Sequence, residues 1–415
     1  MTKPPIQPLA ALALSLAPLA ASANGLRLPS QDALATARGE AFVATADNPS
    51  AIYYNPAGLA QLDGSSLRAG LYGLYYDPTY KSPGGSNYQV KKNFAAAPDF
   101  FLSTSLKAAP VSFGLGVYAP YGGSISWPAG SVPVTVGTQG SLTYVRLNPA
   151  VAVKLGEKFS LGAGVMVDYA NMDLEEDLSS HRVANYFKFN GDGYSVGYHV
   201  GALWHPVEQI SLGATFRSQT SFTLEGDTDM YLARAFLPAS LPARADFTFP
   251  LTAVFGLSYR PTPKWNLEFD ADYTDWSSFG RVTIDQSGTP PPGIQQNIPV
   301  KFFWQASWMY ELGATRYFDH GWHVSAGYLF NQTSVPNTYY TPLVADVDRH
   351  IFSLGVGHNG KRFDFDVTYQ VGYGPEQAVT GSQPSSTPGG ISGQTANGVY
   401  AFFSQAVMVA VGWHF

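Results

Sequence analysis

From residue 65 onward, apolar and polar positions alternate with a period of two in segment after segment, the signature of strands with two different faces. The clearest case is residues 362–373, where Phe363, Phe365, Val367, Tyr369, Val371 and Tyr373 share one face and Arg362, Asp364, Asp366, Thr368 and Gln370 the other. Residues 265–273 repeat it, with Trp265, Leu267, Phe269, Ala271 and Tyr273 opposing Asn266, Glu268, Asp270 and Asp272. Candidate strands fall at 66–77, 94–106, 111–119, 141–155, 159–175, 187–204, 209–224, 246–260, 264–284, 299–317, 321–332, 347–357, 361–373 and 399–415, fourteen in all. Their connections alternate in length. Short ones at 107–110, 156–158, 205–209, 261–263, 318–320 and 358–360 interleave with long ones at 78–93, 120–140, 176–186, 225–245, 285–298, 333–346 and 374–398. A β-sandwich or propeller has no reason to alternate in this way. An antiparallel transmembrane β-barrel does, because its turns are short on one side of the membrane and its loops long on the other. The apolar faces are therefore assigned to lipid.

Residues 24–64 break the pattern. They hold an Ala-rich helical fragment at 32–38, Asn-Pro breaks at Asn48-Pro49 and Asn55-Pro56, and a stop at Gly58, which predicts short helices and turns. So short a piece does not bury enough surface to fold alone. It is expected to fill the barrel lumen as a hatch, which gives an all-β architecture of a signal peptide (1–23), a helical hatch (24–64) and a 14-stranded barrel (65–415).

Composition agrees. Aromatic residues make up 14% of the 415 and charged residues only 13%, well below the roughly 25% charge of a soluble globular domain. Lys3, an apolar run over 9–19 and Ala21-Ser22-Ala23 read as a secretory signal cleaved after Ala23. The chain has no cysteine, so no disulfide or lipidated thiol enters the picture, and a net charge of −6 without a basic patch argues against nucleic acid. Eight histidines are scattered, and only His320 and His323 lie close together, at a turn. No metal, no cofactor and no enzymatic activity are expected, although a constellation visible only in three dimensions stays open. The last strand runs Val407, Val409, Val411, Trp413, Phe415. Such an ending resembles the signal read by the barrel assembly machinery, and equally suits a closing strand with an interfacial aromatic.

Four segments carry a resemblance to a known family: AIYYNPAGL at 51–59, Ala119-Pro120-Tyr121-Gly122, DYTDWSSFGRVTI at 272–284 and SVPNTYYTPLVADVDRH at 334–350. In order and spacing the chain resembles the FadL/TodX family of outer-membrane transporters for long-chain fatty acids and hydrocarbons, over essentially its whole mature length. The resemblance implies a hatch marked by Asn55, Pro56, Ala57 and Gly58, capture of a hydrophobic ligand between external loops, passage to an inner apolar pocket, and lateral release at a kinked third strand. It also implies a Gram-negative outer membrane, with its lipids and lipopolysaccharide, as the surroundings.

The residues themselves support parts of this. Pro120 removes a ladder donor and Gly122 and Gly123 weaken extended pairing, so with Tyr121 they mark either a kink or an ordinary exit to a loop. Met230, Tyr231, Leu232, Phe236 and Leu237 put apolar side chains on the external connection 225–245, either for ligand capture or to pack on a neighbouring loop. Period-two counting sends Tyr72, Leu74, Met166, Met172, Leu174, Met309, Phe402 and Met408 into the lumen, where flexible thioethers suit an irregular ligand or the hatch surface. The carboxylates Glu268, Asp270, Asp272, Asp364 and Asp366 face inward with Arg146, Lys154, Arg217 and Arg362 and read as a network bracing the hatch. Two positions that are basic in fatty-acid members of the family fall, by the resemblance, on Glu176 and Gln305. A glutamate there repels a carboxylate and favours a neutral substrate, with Arg182, Arg217 and Lys301 as other sources of positive charge. The expected function is passive uptake of a hydrophobic small molecule with hatch rearrangement. A structural or adhesion barrel with partner-binding loops is the alternative, and a hatch argues against a general porin.

Overall fold

In a computed structural model of the chain, residues 25–91, 93–128, 137–177, 186–232, 237–290, 295–383 and 395–415 are described. The expected signal peptide at 1–23, Asn24, Arg182 and Phe236 lie outside the described residues. The chain from Ser65 forms a closed antiparallel barrel of fourteen staves. These are β1 (Ser65–Lys81), β2 (Asn87–Gln89 and Phe94–Ser105), β3 (Val111–Tyr118 and Gly123–Ser126), β4 (Gln139–Leu155), β5 (Phe159–Asp177), β6 (Tyr186–Val207) and β7 (Ile210–Arg217 and Thr220–Leu232). They continue with β8 (Leu237–Phe249 and Thr252–Thr262), β9 (Trp265–Thr274 and Arg281–Gln286), β10 (Asn297–Lys301 and Ser307–Tyr317), β11 (Trp322–Asn331), β12 (Arg349–Asn359), β13 (Phe363–Val379) and β14 (Gly398–His414). The barrel closes where β1 pairs with β14, from Ser66 opposite His414 to Lys81 opposite Val399.

Side-chain parity follows the sequence pattern. Phe363, Val367, Tyr369 and Tyr373 are exposed on the outside of β13, and Asp366, Thr368 and Gln370 are buried on its inside. On β9, Trp265, Leu267 and Phe269 face outward while Asn266, Glu268, Asp270 and Asp272 are buried. In lipid a paired ladder satisfies the backbone groups of these staves and sets their apolar side chains against the hydrocarbon.

Two features of the wall differ from a plain barrel. The first is the break in β3. Beyond the pair Phe100–Val117, β2 and β3 form no further ladder pair among the described residues; the outer piece of β3 pairs with β4, from Gly123–Leu142 to Ser126–Gln139, and its Ser126 carbonyl accepts from the Lys91 amide at 2.8 Å. Pro120 sits in this break, where a ladder donor is not required. The second concerns residues 225–245, expected as a loop. The described residues 225–232 and 237–245 are strand, with β7 and β8 paired out to Leu232 and Leu237.

Inside the barrel lies the N-terminal segment, with α1 (Ala33–Ala37), α2 (Ala51–Tyr54) and a 3₁₀ turn (Pro56–Gln61). Asp32 caps α1 by accepting from the amides of Leu34 and Ala35. The segment is buried almost throughout. It can approach so closely because the facing wall positions are glycines: a β-carbon at Gly162 would overlap the Pro56–Ala57 peptide, and one at Gly213 the Val43 carbonyl.

Candidate functional site: a plugged lumen with an apolar tract

The Asn55-Pro56-Ala57-Gly58 turn knits this plug to the wall. The Asn55 carboxamide donates to the carbonyls of Val43 at 2.9 Å and Ala202 at 3.0 Å, and its oxygen accepts from the Ala57 amide at 3.1 Å. Ser160 donates to the Ala57 carbonyl at 3.1 Å. At Gly58 any side chain would run into Ala46.

Charge holds the rest. Arg27 makes a two-pronged pair with Asp272, its nitrogens 2.6 and 2.7 Å from the carboxylate oxygens. Arg38 pairs with Glu268 at 3.0 Å, and Arg68 of β1 binds Asp32 of the plug together with Asp364 and Asp366 of β13. Asp270 accepts from the amides of Phe42 and Val43 at 2.9 and 2.8 Å. The expected carboxylate network is thus present, but its cations are not those the sequence suggested. Arg146 pairs with Asp168 on the wall, Arg217 donates to the Tyr53 and Tyr54 carbonyls, and Arg362 is exposed. Arg27 and Arg38 of the plug and Arg68 of β1 take their places, because a buried carboxylate needs a partner within reach, and the plug fills the space between facing staves.

Within the plug, Glu40 is buried and accepts from Ser30 at 2.8 Å and Tyr54 at 2.8 Å. Burial pushes its carboxyl up to about 7.

Above the plug, on the side of the long connections, two adjoining cavities form an apolar tract. The outer one is walled by Leu174, Phe187, Ile284, Ile298, Phe302 and Leu343, with Glu175, Glu176 and Lys301 among its lining residues. The inner one shares Leu174, Phe302 and Leu343, and runs past Met172, Phe279 and Trp304 to Leu26 of the plug and Gly123 at the break in β3. None of its twelve lining residues is ionisable. Rings line this region densely: Trp304 stacks on Phe279 at 5.1 Å and meets Trp276 edge-on at 5.1 Å, and Trp276 meets Tyr121 at 6.0 Å.

Plug and break meet here. Leu28 donates to the Pro120 carbonyl at 2.9 Å and Gly122 to the Leu26 carbonyl at 2.9 Å, so residues 26–28 lie as a short strand across the inside of the break. Below the plug the lumen is polar instead, lined by Asp47, Arg68, Arg260, Asp364, Asp366 and His414.

The predicted residues distribute as follows. Pro120, Tyr121, Gly122 and Gly123 form the break. All eight inward candidates face the lumen; Tyr72, Leu74, Met172, Phe402 and Met408 belong to one buried cluster around the tract, with Leu174 packed against it, while Met166 and Met309 are buried apart from it. Met408 also accepts from the Thr36 hydroxyl of the plug at 3.5 Å. Met230 is not an exposed loop residue: it is 1% exposed on the inner face of the hairpin, while Tyr231 stacks on Tyr186 at 6.1 Å. For Leu232 and Leu237 only the backbone is described. Glu176 lines the outer cavity. Gln305 does not reach the lumen, because it and Ala306 are both exposed and Trp304 takes the inward position. Sequence reasoning missed Trp276, Trp304 and Phe279; the aromatic density of 272–284 and 302–304 was the available signal.

A barrel plugged by its own N-terminus, with an apolar tract on one side of the plug, defines a class of outer-membrane proteins that move hydrophobic molecules. Residues 14–408 match the family of outer membrane protein transport proteins (OMPP1/FadL/TodX), and the chain belongs to that family. It is 23% identical over 381 residues to the long-chain fatty acid transport protein of Escherichia coli K12, covering 79% of this chain and 82% of that one. Among solved structures, a Pseudomonas aeruginosa FadL homologue superposes with a TM-score of 0.81 at 19% identity, over 94% of this chain and 100% of that one. The Ralstonia pickettii toluene transporter TbuX gives a TM-score of 0.69 at 16% identity, over 92% and 98%. The protein is accordingly an outer-membrane β-barrel of a family that transports hydrophobic substrates.

Proposed function

We propose that the barrel takes up neutral hydrophobic molecules, with alkylated aromatic hydrocarbons as the best-fitting class. The observation that carries this reading is the inner cavity, where twelve lining residues offer apolar and aromatic surface and no ionisable group. A carboxylate moved there would lose its hydration with nothing charged to replace it, a cost that neutral ligands avoid. Stacking and edge contacts from Phe279, Phe302 and Trp304 add to plain burial for a ring. Among the described residues lining the two cavities, Lys301 of the outer one is the single cation an acid head group would meet, and there Glu175 and Glu176 lie on the same wall.

Entry is through the outer cavity, binding is in the inner one, and exit is sideways through the break in β3 once residues 26–28 move aside. The polar lumen below the plug supports the sideways route, since a hydrophobic solute would otherwise have to pass the Arg68, Asp364 and Asp366 charges. The work is binding and rearrangement, without covalent chemistry.

Calorimetry on the purified full-length protein in detergent, comparing propylbenzene with palmitate and repeating both with Glu176→Arg, tests the assignment. The expected result is propylbenzene binding, no palmitate binding, and palmitate binding gained in the variant. Tight palmitate binding by the wild-type protein overturns the neutral-ligand reading.

A further inference from the structure

At the end of the barrel that carries the short connections, the inner faces of β1, β14 and β13 bring a serine, a histidine and a carboxylate into one line. Ser66 and His414 are direct cross-strand partners. The Ser66 hydroxyl lies 2.9 Å from Nδ1 of His414, and Nε2 of the same ring lies 2.7 Å from Oδ2 of Asp364. Asp364 stands opposite Gly412, where a β-carbon would overlap its carboxylate, so the glycine leaves it room to lean toward His414. Its other oxygen is held by Arg68 at 2.9 Å.

A carboxylate can only accept, so the ring proton belongs on Nε2, and Nδ1 is left to accept from the Ser66 hydroxyl. Each member then has the contact its role requires: a base on the hydroxyl of a nucleophile, and a carboxylate that fixes the tautomer and orientation of that base. Which ring nitrogen faces the serine does not alter these roles. The line opens into the cavity below the plug, which Ser66, Asp364 and His414 all line. Leu34, Leu62 and Pro263 supply apolar wall there, and Asn359, the cross-strand neighbour of Asp364, adds a carboxamide. His414 keeps 37% of its side-chain surface exposed, so the site is open from the side of the short turns, the periplasmic side. None of the uptake steps uses these residues.

We propose that Ser66, His414 and Asp364 form a serine hydrolase site facing the periplasm, acting on carboxylic esters with a short acyl chain. The Ser66 oxygen attacks the ester carbonyl carbon while its proton passes to Nδ1 of His414. The Asn359 carboxamide donates to the oxyanion that forms. The carbon–oxygen bond to the alcohol then breaks, the alcohol leaves with the proton from His414, and the acyl group stays on Ser66. Water attacks this acyl-serine, giving its proton to His414, and the Ser66 oxygen recovers that proton as the acid departs. The sum is ester plus water to acid plus alcohol. Asp364 and Arg68 are positioning residues.

The test uses the purified full-length protein in detergent with two probes, 4-nitrophenyl butyrate for turnover and a fluorophosphonate, which phosphonylates an activated serine with loss of fluoride. Wild type should release 4-nitrophenol and carry the phosphonyl adduct on Ser66, located by mass spectrometry. Ser66→Ala should lose both, with its heat-dependent gel mobility showing a folded barrel. His414→Gln should slow turnover by about 100- to 10,000-fold, the usual contribution of a general base. Asp364→Asn can present its amide group to Nε2 and leave the proton on Nδ1, so it should lower kcat while KM stays within about twofold; a merely structural loss would not split them. Should Ser66→Ala not fold, the position of the adduct in wild type decides alone. Absence of an adduct on Ser66 overturns the proposal, and so does turnover that is equal, or equally absent, in wild type and Ser66→Ala.

Discussion

Asn55→Ala is the sharpest probe of how the plug is held. The substitution strands the carbonyls of Val43 and Ala202, bonded at 2.9 and 3.0 Å, and the Ala57 amide, bonded at 3.1 Å, in a site where Asn55 itself is fully buried. Loss of a turn-capping side chain costs about 1 kcal/mol, and leaving a buried polar group without its partner about 1–3 kcal/mol. Ala202 lies within a paired stave, so its carbonyl is left out of the sum. The sum is roughly 2–4 kcal/mol, a shift of roughly 30- to 1,000-fold in the equilibrium between docked and undocked plug. The barrel ladder is untouched, so the heat-dependent gel mobility of the folded barrel should not change. Hydrogen exchange over residues 43–62 should accelerate by that factor, and planar-bilayer recordings should show conductance bursts absent from the wild type. Asn55→Asp should be at least as damaging, because it keeps the cap but sets a buried carboxylate against two carbonyl oxygens. If Asn55→Ala leaves exchange over 43–62 at the wild-type rate, the plug is not held by this turn and the reasoning fails.

Gly162→Val should undock the same turn by steric overlap with the Pro56–Ala57 peptide; protease cleavage within residues 41–62, absent in wild type, reports it. Burial raises the Glu40 carboxyl to about 7, above the ordinary value of about 4.3, so the folded plug binds a proton that the undocked one releases. Its contribution is therefore complete below about pH 4.3 and is lost as pH rises through about 7. Plug exchange, corrected for intrinsic rates, should increase between pH 5 and 8 in wild type and rise less steeply in Glu40→Gln. Trp304→Ala removes the ring stacked on Phe279. It should cost about 3–5 kcal/mol of stability and shift calorimetric preference from propylbenzene toward a two-ring hydrocarbon.

The barrel was legible because lipid imposes one rule on every stave: apolar outward, anything inward. That rule wrote the alternation at 265–273 and 362–373, and the same parity placed Met172 and Phe402 in the lumen. It fails where lipid no longer touches the wall. Residues 225–245 carry Asp227, Asp229 and Arg244 on their outer positions because that hairpin stands in water, so they read as a loop although Thr228 and Met230 keep the inward parity. It also fails at irregularities. Phe303 adopts φ +45°, and Gln305 and Ala306 both face outward, which inserts one residue between Trp304 and Ser307. Counting back from Met309 across that insertion puts Gln305 inward; the bulge gives the position to Trp304. The partners of Asp272 and Glu268 were hidden for a different reason. Arg27 and Arg38 lie more than 200 residues away in a segment with no periodicity, and only the folded plug brings them to β9.

These anchors are unevenly distributed, and the asymmetry bears on which part of the plug can move. Residues 32–62 are fixed by Arg38 to Glu268, by Asp32 to Arg68, by Asp270 to two amides and by the Asn55 turn, each buried and each costly to break. Residues 25–28 depend on two backbone bonds to the break in β3, a 3.4 Å contact from the Gly25 amide to Asp346, and Arg27. Arg27 is the strongest of these, yet its long side chain can keep hold of Asp272 while the backbone beside it shifts. A ligand in the inner cavity therefore meets the plug at its most weakly held end, beside the wall's own gap. Moving that end requires far less free energy than withdrawing the whole plug, which is the physical argument for a local displacement and a sideways exit.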